Sequence, residues 1–185
     1  MEKYPSNPIR RRLLLGMALA VPAFWLKGCG DSASAENDLP FEPLELSERQ
    51  WREILTEEEY RVLRREGTER PFSSPLDKEY GDGVYVCAGC NLALFSSAHK
   101  FDSRTGWPSF WQPIDDAHIG TRRDFRMIIP RTEYHCARCG GHQGHVFNDG
   151  PEPTGQRWCN NGVALRFIPA GSELPVLRTG MNDAA

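Results

Sequence analysis

The chain has 185 residues, of which 39% are apolar, and it carries a formal net charge of −3. This length suits one medium-sized domain with a hydrophobic core of its own. The charge argues against a nucleic-acid partner, because proteins that bind polyanions normally carry a clear basic excess. Fourteen prolines and seventeen glycines imply many turns, which favours a β-rich fold over a helical bundle.

Residues 1–35 have the features of an export signal. Three arginines, Arg10, Arg11 and Arg12, precede the uncharged apolar run LLLGMALAVPAFWL. That run is short for a helix that crosses a bilayer, but it matches the apolar region of a signal peptide. Adjacent arginines before such a run are typical of twin-arginine signals. The segment therefore predicts export to the periplasm or cell envelope, with an uncleaved membrane anchor as the alternative.

Two cleavage sites compete in this segment. The stretch LKGC, which ends at Cys29, resembles a lipoprotein box and would leave a lipid anchor on that cysteine. The stretch Ala33-Ser34-Ala35 is an ordinary site with two small residues and would leave a protein without an anchor. The lipoprotein site is slightly favoured, and the lipid on Cys29 is then the expected contact with a membrane.

The next stretch predicts a tether followed by two helices. Residues 36–46 contain two prolines and no helical period, which is typical of a tether. Two capping boxes follow, SERQ at 47–50 and TEEE at 56–59. They predict two short helices between about residues 47 and 67, the second of which would stop at Gly67.

After these helices the chain consists of short segments rich in β-branched and aromatic residues. They are bounded by Gly, Pro or Asp and read GVYVC, FRMIIP, TEYHC, GHVF and VALRFIP. The pattern predicts a mainly β fold, a small antiparallel β-barrel or sandwich, that forms one domain with the two helices over residues 47–169. Residues 170–185 are predicted to be a carboxy-terminal tail.

Four cysteines occur as two C-x-x-C pairs, which read CAGC and CARC. They are Cys87, Cys90, Cys136 and Cys139. Two such turns bring four sulfur donors around one point, and four thiolates suit a tetrahedral Zn²⁺. A site with four protein ligands has no open position, so the pattern predicts one structural zinc ion. Two disulfides and an iron site are the alternatives; export of a folded protein, loaded with metal beforehand, favours zinc over disulfides.

One further cysteine, Cys159, stands alone in the stretch GQRWCNNG. A lone cysteine is more often a small buried apolar residue. Here, however, Arg157 and Asn161 lie two residues away on either side, so in a strand they share its face, and the arginine is expected to lower the thiol pKa. Upstream, His142 and His145 lie three residues apart among glycines. Together these residues predict a site of thiolate chemistry.

Several long stretches resemble the methionine sulfoxide reductase B family, and the similarity runs from about residue 46 to about residue 169. They are TERPFSSPL (68–76), KFDSRTGWPSFWQPI (100–114), the two C-x-x-C units, and GGHQGHVFNDGPEPTGQRWCNNGVALRFIP (140–169). The resemblance implies a barrel-like β core with a four-cysteine zinc site. It also implies an enzyme that reduces the R epimer of methionine sulfoxide in oxidised proteins or peptides.

The resemblance further implies roles for individual residues. Cys159 falls where the family has its nucleophile, and Trp107 falls where the family packs an indole against the methyl group of the substrate. The polar residues around the sulfoxide are matched by His142, His145, Arg157 and Asn161. Either histidine is a candidate proton donor, and the sequence does not choose between them.

One departure from the family changes the expected reaction cycle. Many members have a second, resolving cysteine before the WPSF motif, where this chain has Thr105. We therefore expect a one-cysteine cycle, in which an external thiol, a thioredoxin-like protein, reduces the sulfenic acid on Cys159. Gly162 stands where a serine is commoner in the family, and Asn148 where an aspartate is commoner; we expect both to be tolerated.

Two other functions compete with this reading. A non-catalytic binding module built on a zinc scaffold would have the four paired cysteines but no need for Cys159, Trp107 and the two histidines. A thiol oxidoreductase that acts on disulfides would need a C-x-x-C pair free of metal.

Overall fold

The computed structural model describes residues 39–126 and 130–180. The predicted export signal and both cleavage sites lie outside the described residues, as does the middle of the predicted strand FRMIIP. Within the described part, the chain has no helix that is long and apolar enough to span a bilayer.

Both predicted helices are present. Helix α1 is Glu48–Ile54 and helix α2 is Glu57–Leu63. Each begins at its predicted capping box, and in the first box the Ser47 N–H donates to the Gln50 side chain at 2.9 Å. Each helix is too short to be stable alone, so packing must hold it in place.

The predicted stop of the second helix at Gly67 is wrong. Helix α2 ends at Leu63 with Arg64 as its cap, and the left-handed residue that turns the chain is Glu66, at φ 53°. Gly67 nevertheless needs to be small, because a Cβ there would lie 2.9 Å from the carbonyl oxygen of Arg61. The glycine therefore permits a close approach and does not supply the positive φ.

Nine strands form two antiparallel sheets within the described residues. The strands are β1 (Gly83–Cys87), β2 (Ala93–Ser96), β3 (Lys100–Phe101), β4 (Ser109–Phe110), β5 (Ile119–Asp124), β6 (Arg131–Cys136), β7 (His142–Phe147), β8 (Arg157–Asn160) and β9 (Leu165–Pro169). One sheet has the order β2-β1-β9 and the other β3-β4-β8-β7-β6-β5. The mainly β prediction is confirmed, but in the described part the two sheets are not joined by hydrogen bonds into a closed barrel.

Four of the five predicted segments contain a strand, namely GVYVC, TEYHC, GHVF and VALRFIP. In the last of these the strand starts only at Leu165, because Gly162–Ala164 forms a 3-10 turn. The described residues of FRMIIP are not in a strand.

Aromatic side chains from both sheets form the centre of the core. Phe95 on β2 stacks on Phe110 of β4 with ring centroids 4.3 Å apart, and Tyr85 on β1 meets the same ring edge-on at 4.9 Å. Tyr134 on β6 contacts Trp158 on β8 at 5.0 Å. Such pairs bury large apolar areas, so they hold the short strands of the two sheets together.

The two segments predicted to flank the domain pack against it where they are described. Leu44, in the predicted tether, is buried and its N–H donates to the carbonyl oxygen of Arg138 at 2.8 Å. In the predicted tail, the backbone N–H of Arg178 donates to the carbonyl oxygen of Cys90 at 3.1 Å. These two segments are held in place by burial of an apolar side chain and by hydrogen bonds that satisfy backbone carbonyls of the domain's loops.

Candidate active site

Cys159 lies in a central strand of the larger sheet. On β8 it is paired with Ser109 of β4 on one side and with His145 of β7 on the other. The two strands β7 and β8 approach closely because Gly144 has no side chain, and a Cβ there would lie 1.9 Å from the Cys159 carbonyl oxygen. The register thus brings a thiol and an imidazole side by side.

A small cavity opens beside this pair. Its volume is about 110 Å³, and its lining includes Trp107, His145, Phe147, Cys159 and Asn161. The lining therefore combines an indole and a phenyl ring with a half-buried thiol and an imidazole. A small pocket with apolar walls and a few convergent polar groups is the usual form of a small-ligand site.

Arg157 is held rigidly behind the cavity wall. Its guanidinium donates to both carboxylate oxygens of Asp149, at 2.8 and 2.9 Å, and lies 4.3 Å from the centroid of the Phe147 ring. A bidentate pair of this kind fixes the orientation of the side chain. Asp149 was not predicted from the sequence, because its only local signal is a turn-forming NDG stretch.

The environment of Cys159 does not lower its thiol pKa overall. Burial raises the pKa, whereas the charge of Arg157 and a hydrogen bond with the Thr105 hydroxyl lower it. Burial prevails, so the pKa is higher than that of a free thiol. The predicted effect of Arg157 therefore has the right sign, but desolvation of the thiolate, which the sequence does not reveal, is larger.

The two predicted histidines occupy different environments. His145 lines the cavity, and its Nε2 lies 2.8 Å from Asp124 Oδ2. Burial lowers the pKa of His145 and outweighs the hydrogen bond to Asp124, so the ring is neutral near pH 7. His142 is almost fully buried, and its Nδ1 lies 2.7 Å from Glu133 Oε1. The ring centroids of the two histidines are 5.5 Å apart.

Neither acidic partner of these histidines was found from the sequence. Asp124 ends β5 and also accepts a hydrogen bond from Arg131 at 2.8 Å. Glu133, on β6, is buried; burial raises its pKa, but hydrogen bonds from His135 and His142 prevail and lower the pKa to about 2. The sheet order β7-β6-β5 brings these carboxylates to the histidines, so no local pattern marks them.

Glu69 connects two walls of the cavity. Its N–H donates to Asn161 Oδ1 at 3.0 Å, and its carbonyl oxygen accepts from the Trp107 indole at 3.3 Å. Its buried carboxylate accepts from the backbone N–H groups of Gly162 and Val163, at 2.7 and 2.9 Å. The Asn161 amide also donates to a backbone carbonyl, so both of its ends are occupied by main-chain groups and it shapes the wall.

The space around Gly162 is filled by a neighbouring side chain. A Cβ at this position would lie 2.0 Å from Ser74 Oγ, so a serine would require Ser74 to move. Glycine here is therefore compatible with the packing of this chain.

The four paired cysteines form one buried cluster apart from this cavity. Their sulfur atoms all lie within 4.8 Å of one another, with Cys87 and Cys139 at 3.7 Å and Cys90 and Cys136 at 3.5 Å. None of the four is in a disulfide, so the predicted disulfide alternative is not observed. Four sulfurs at Zn–S distances of about 2.3 Å lie about 3.8 Å apart in a tetrahedron, so the observed arrangement fits such an ion.

The sequence matches the family described as the SelR domain over residues 55–169. A Leptospira interrogans protein named peptide methionine sulfoxide reductase MsrB is 50% identical over 121 residues, covering 65% of this chain and 92% of that protein. Proteins of the same name from Methanosarcina mazei and Bradyrhizobium diazoefficiens are each 52% identical. These matches cover 67% and 66% of this chain and 89% and 88% of the relatives. The chain belongs to the methionine sulfoxide reductase B family.

Membership in the methionine sulfoxide reductase B family confirms the resemblance and the enzyme class drawn from the sequence. Of the residues that the resemblance singled out, four line one cavity, and two lie behind its wall. Cys159, Trp107, His145 and Asn161 line it, whereas His142 and Arg157 support residues that do. A non-catalytic member of this fold would have no need of a thiol and an imidazole in the same cavity.

Proposed function

We propose that the chain reduces the R epimer of methionine sulfoxide in proteins or peptides, with Cys159 as the nucleophile. The observation that carries this proposal is the cavity in which Cys159, His145 and Trp107 meet. Its volume of about 110 Å³ suits the tip of a side chain and not a whole residue. The Trp107 indole forms an apolar wall against which the methyl group of the substrate packs. His145 lines the polar side and can donate a proton to the sulfoxide oxygen.

The resting site starts with a protonated thiol and a neutral imidazole. The raised pKa of Cys159 and the lowered pKa of His145 both favour this state. His145 accepts the thiol proton, and the Asp124 carboxylate stabilises the imidazolium that results. This arrangement favours His145 over His142 as the acid–base group.

The thiolate then attacks the sulfoxide sulfur and forms an S–S bond, while the imidazolium protonates the sulfoxide oxygen. The oxygen transfers to the Cys159 sulfur as the substrate S–O bond and the new S–S bond break. Cys159 is thereby oxidised to sulfenic acid, the substrate sulfur gains two electrons, and methionine leaves. Arg157 stabilises the thiolate, and its charge is held in place by Asp149. Every atom of the thiol and the sulfoxide is accounted for, so this half of the cycle needs no further reactant.

A thiol from outside the chain completes the cycle. The first thiol condenses with the sulfenic acid to a mixed disulfide and water, and a second thiol releases Cys159. Thr105 stands where many relatives carry a resolving cysteine, so we propose direct attack by a thioredoxin-like donor. For the amino-terminal segment we propose export, with a lipid on Cys29, and hence repair of oxidised proteins of the envelope; the arginines and the apolar run support this.

We also propose that Cys87, Cys90, Cys136 and Cys139 bind one structural zinc ion. The ion would join the end of β1 to the end of β6 and so tie the two sheets together. It lies outside the cavity in this proposal and takes no part in the proton transfers.

The deciding experiment offers each epimer of a methionine sulfoxide peptide to the purified protein with dithiothreitol as the reductant. We expect turnover of the R epimer and none of the S epimer. Cys159→Ser is the control, since it removes the nucleophile and should turn over neither. Comparable rates on both epimers, or activity on the S epimer alone, would falsify the proposal.

A further inference from the structure

Two buried arginines flank the cysteine cluster and have no part in the proposed reaction. Arg138 is 6% exposed and lies inside the second C-x-x-C unit, between Cys136 and Cys139. Arg178 is 3% exposed and belongs to segment 171–180, which follows the predicted domain in the sequence. Charged side chains are almost never buried this deeply without a partner of opposite charge.

Their hydrogen bonds all go to backbone carbonyls of the loops around the cluster. Arg178 donates from Nε to the Gly89 oxygen at 2.9 Å and from its backbone N–H to the Cys90 oxygen at 3.1 Å. Arg138 donates to the Cys90 oxygen at 3.3 Å and to the Arg178 oxygen at 2.6 Å. The two guanidinium groups therefore join both C-x-x-C loops to the carboxy-terminal segment.

Within the part of the chain that the structure describes, these two positive charges lack a negative partner. Among residues 39–126 and 130–180, no acidic side chain forms an ion pair with either arginine, and Arg138 Nε and Arg178 Nη1 are buried without a hydrogen-bond partner. Burying an uncompensated charge is strongly unfavourable, so the site needs nearby negative charge. Four thiols are neutral and supply none, whereas four thiolates around Zn²⁺ leave a net charge of −2.

We infer that Arg138 and Arg178 are the charge partners of a four-thiolate metal centre, and that segment 171–180 docks on the domain when that centre is loaded. This inference rests on the zinc proposed above. The segment lies beyond residue 169, where the family match ends. Its apolar side chains hold it weakly, because Leu174 is 48% and Val176 is 75% exposed. One further hydrogen bond holds the segment: the Asn91 side-chain amide donates to the Val176 carbonyl oxygen at 2.9 Å.

The test measures zinc release from the full chain into a colorimetric chelator. Arg178→Leu keeps much of the bulk but removes the charge, and we expect zinc release at least about tenfold faster than in the wild type. Arg178→Lys keeps the charge and should stay close to the wild type. The matched control is Arg49→Leu, which removes a side chain that is 84% exposed on α1 and should change nothing.

Hydrogen–deuterium exchange supplies a second readout that does not depend on activity. In zinc-loaded Arg178→Leu we expect faster exchange in segment 171–180 while β1 and β6 stay protected. In the wild type, stripping the zinc should deprotect the same segment. If Arg178→Leu holds zinc as long as the wild type and the segment stays protected, this inference fails while the zinc proposal stands. If the wild type binds no metal, both fail together.

Discussion

The cysteine cluster and the Cys159 cavity place the same side chain in opposite surroundings. The four clustered cysteines are at most 6% exposed, and each sulfur has other sulfurs as neighbours. Cys159 is half-buried and does not belong to this cluster. It is paired with His145 on the neighbouring strand. Because the sulfur atom is the same in both regions, the groups around a thiol decide whether it acts as a ligand or as a nucleophile.

The arginines of the two regions sharpen this difference. Arg157, beside Cys159, has its charge matched by the Asp149 carboxylate, so only part of its field reaches the thiol. Arg138 and Arg178, beside the cluster, have no carboxylate partner among the described residues. The surroundings of Cys159 therefore favour its protonated thiol, whereas the proposed zinc ion would hold the four clustered cysteines as thiolates.

The largest expected effect comes from removing one sulfur from each region. Cys159→Ser should lower turnover at least about 1,000-fold, because the nucleophile is lost, and should leave about one zinc per chain and the unfolding midpoint unchanged. Cys136→Ser should lose the zinc and several kcal/mol of folding stability, because metal-binding energy is folding energy. Turnover, metal content and denaturant unfolding of both variants measure this contrast.

This prediction is contradicted if either variant shows the phenotype expected of the other. A Cys159→Ser variant that keeps most of its activity would mean that the nucleophile lies in the cluster. A stable Cys136→Ser variant would mean that the cluster is not a structural metal site.

A smaller effect concerns the fate of oxidised Cys159. After one turnover without reductant, we expect the loss of one thiol per chain, trapped by a sulfenic-acid reagent, because the described residues place no free cysteine beside it. Thr105→Cys should instead lose two thiols and work better with thioredoxin, since Thr105 is one of the groups that lower the pKa of the Cys159 thiol and therefore lies near it. Thr105→Ser is the matched control and should lose one thiol.

Two thiols lost in the wild type would contradict this cycle. A disulfide mapped between Cys159 and a clustered cysteine would show that a clustered cysteine acts as the resolving thiol. The cluster would then not be a purely structural metal site.

The smallest effect is on the pH dependence of thiol reactivity. Alkylation of Cys159 by iodoacetamide should keep rising through the alkaline range, because burial raises the pKa of this thiol and only the thiolate reacts. Arg157→Leu should slow alkylation at pH 8 by about tenfold, since a cation within contact range favours the charged form of the thiol. Arg157→Lys keeps a cation and should slow it less. A rate that levels off near neutral pH would show instead that Arg157 prevails over burial.

The sequence by itself determined the features that depend on short spacings. Two capping boxes marked the starts of α1 and α2. The two C-x-x-C units marked the four clustered cysteines, because a turn of four residues brings its ends together whatever surrounds it. The spacing of Arg157 and Cys159 placed them on one face of a strand, since side chains alternate along β structure. The order of the longer motifs identified the family.

Only the tertiary structure decided the features that depend on distant partners and on burial. The sheet order β7-β6-β5 brought Asp124 to His145, although 21 positions separate these residues. The place of the cavity distinguished the two histidines, because His145 lines it. The direction of the Cys159 pKa shift depended on desolvation, which no spacing reveals. Arg178 reached the cysteine cluster from a segment read as a tail, because its partners are backbone carbonyls, and every sequence offers those equally.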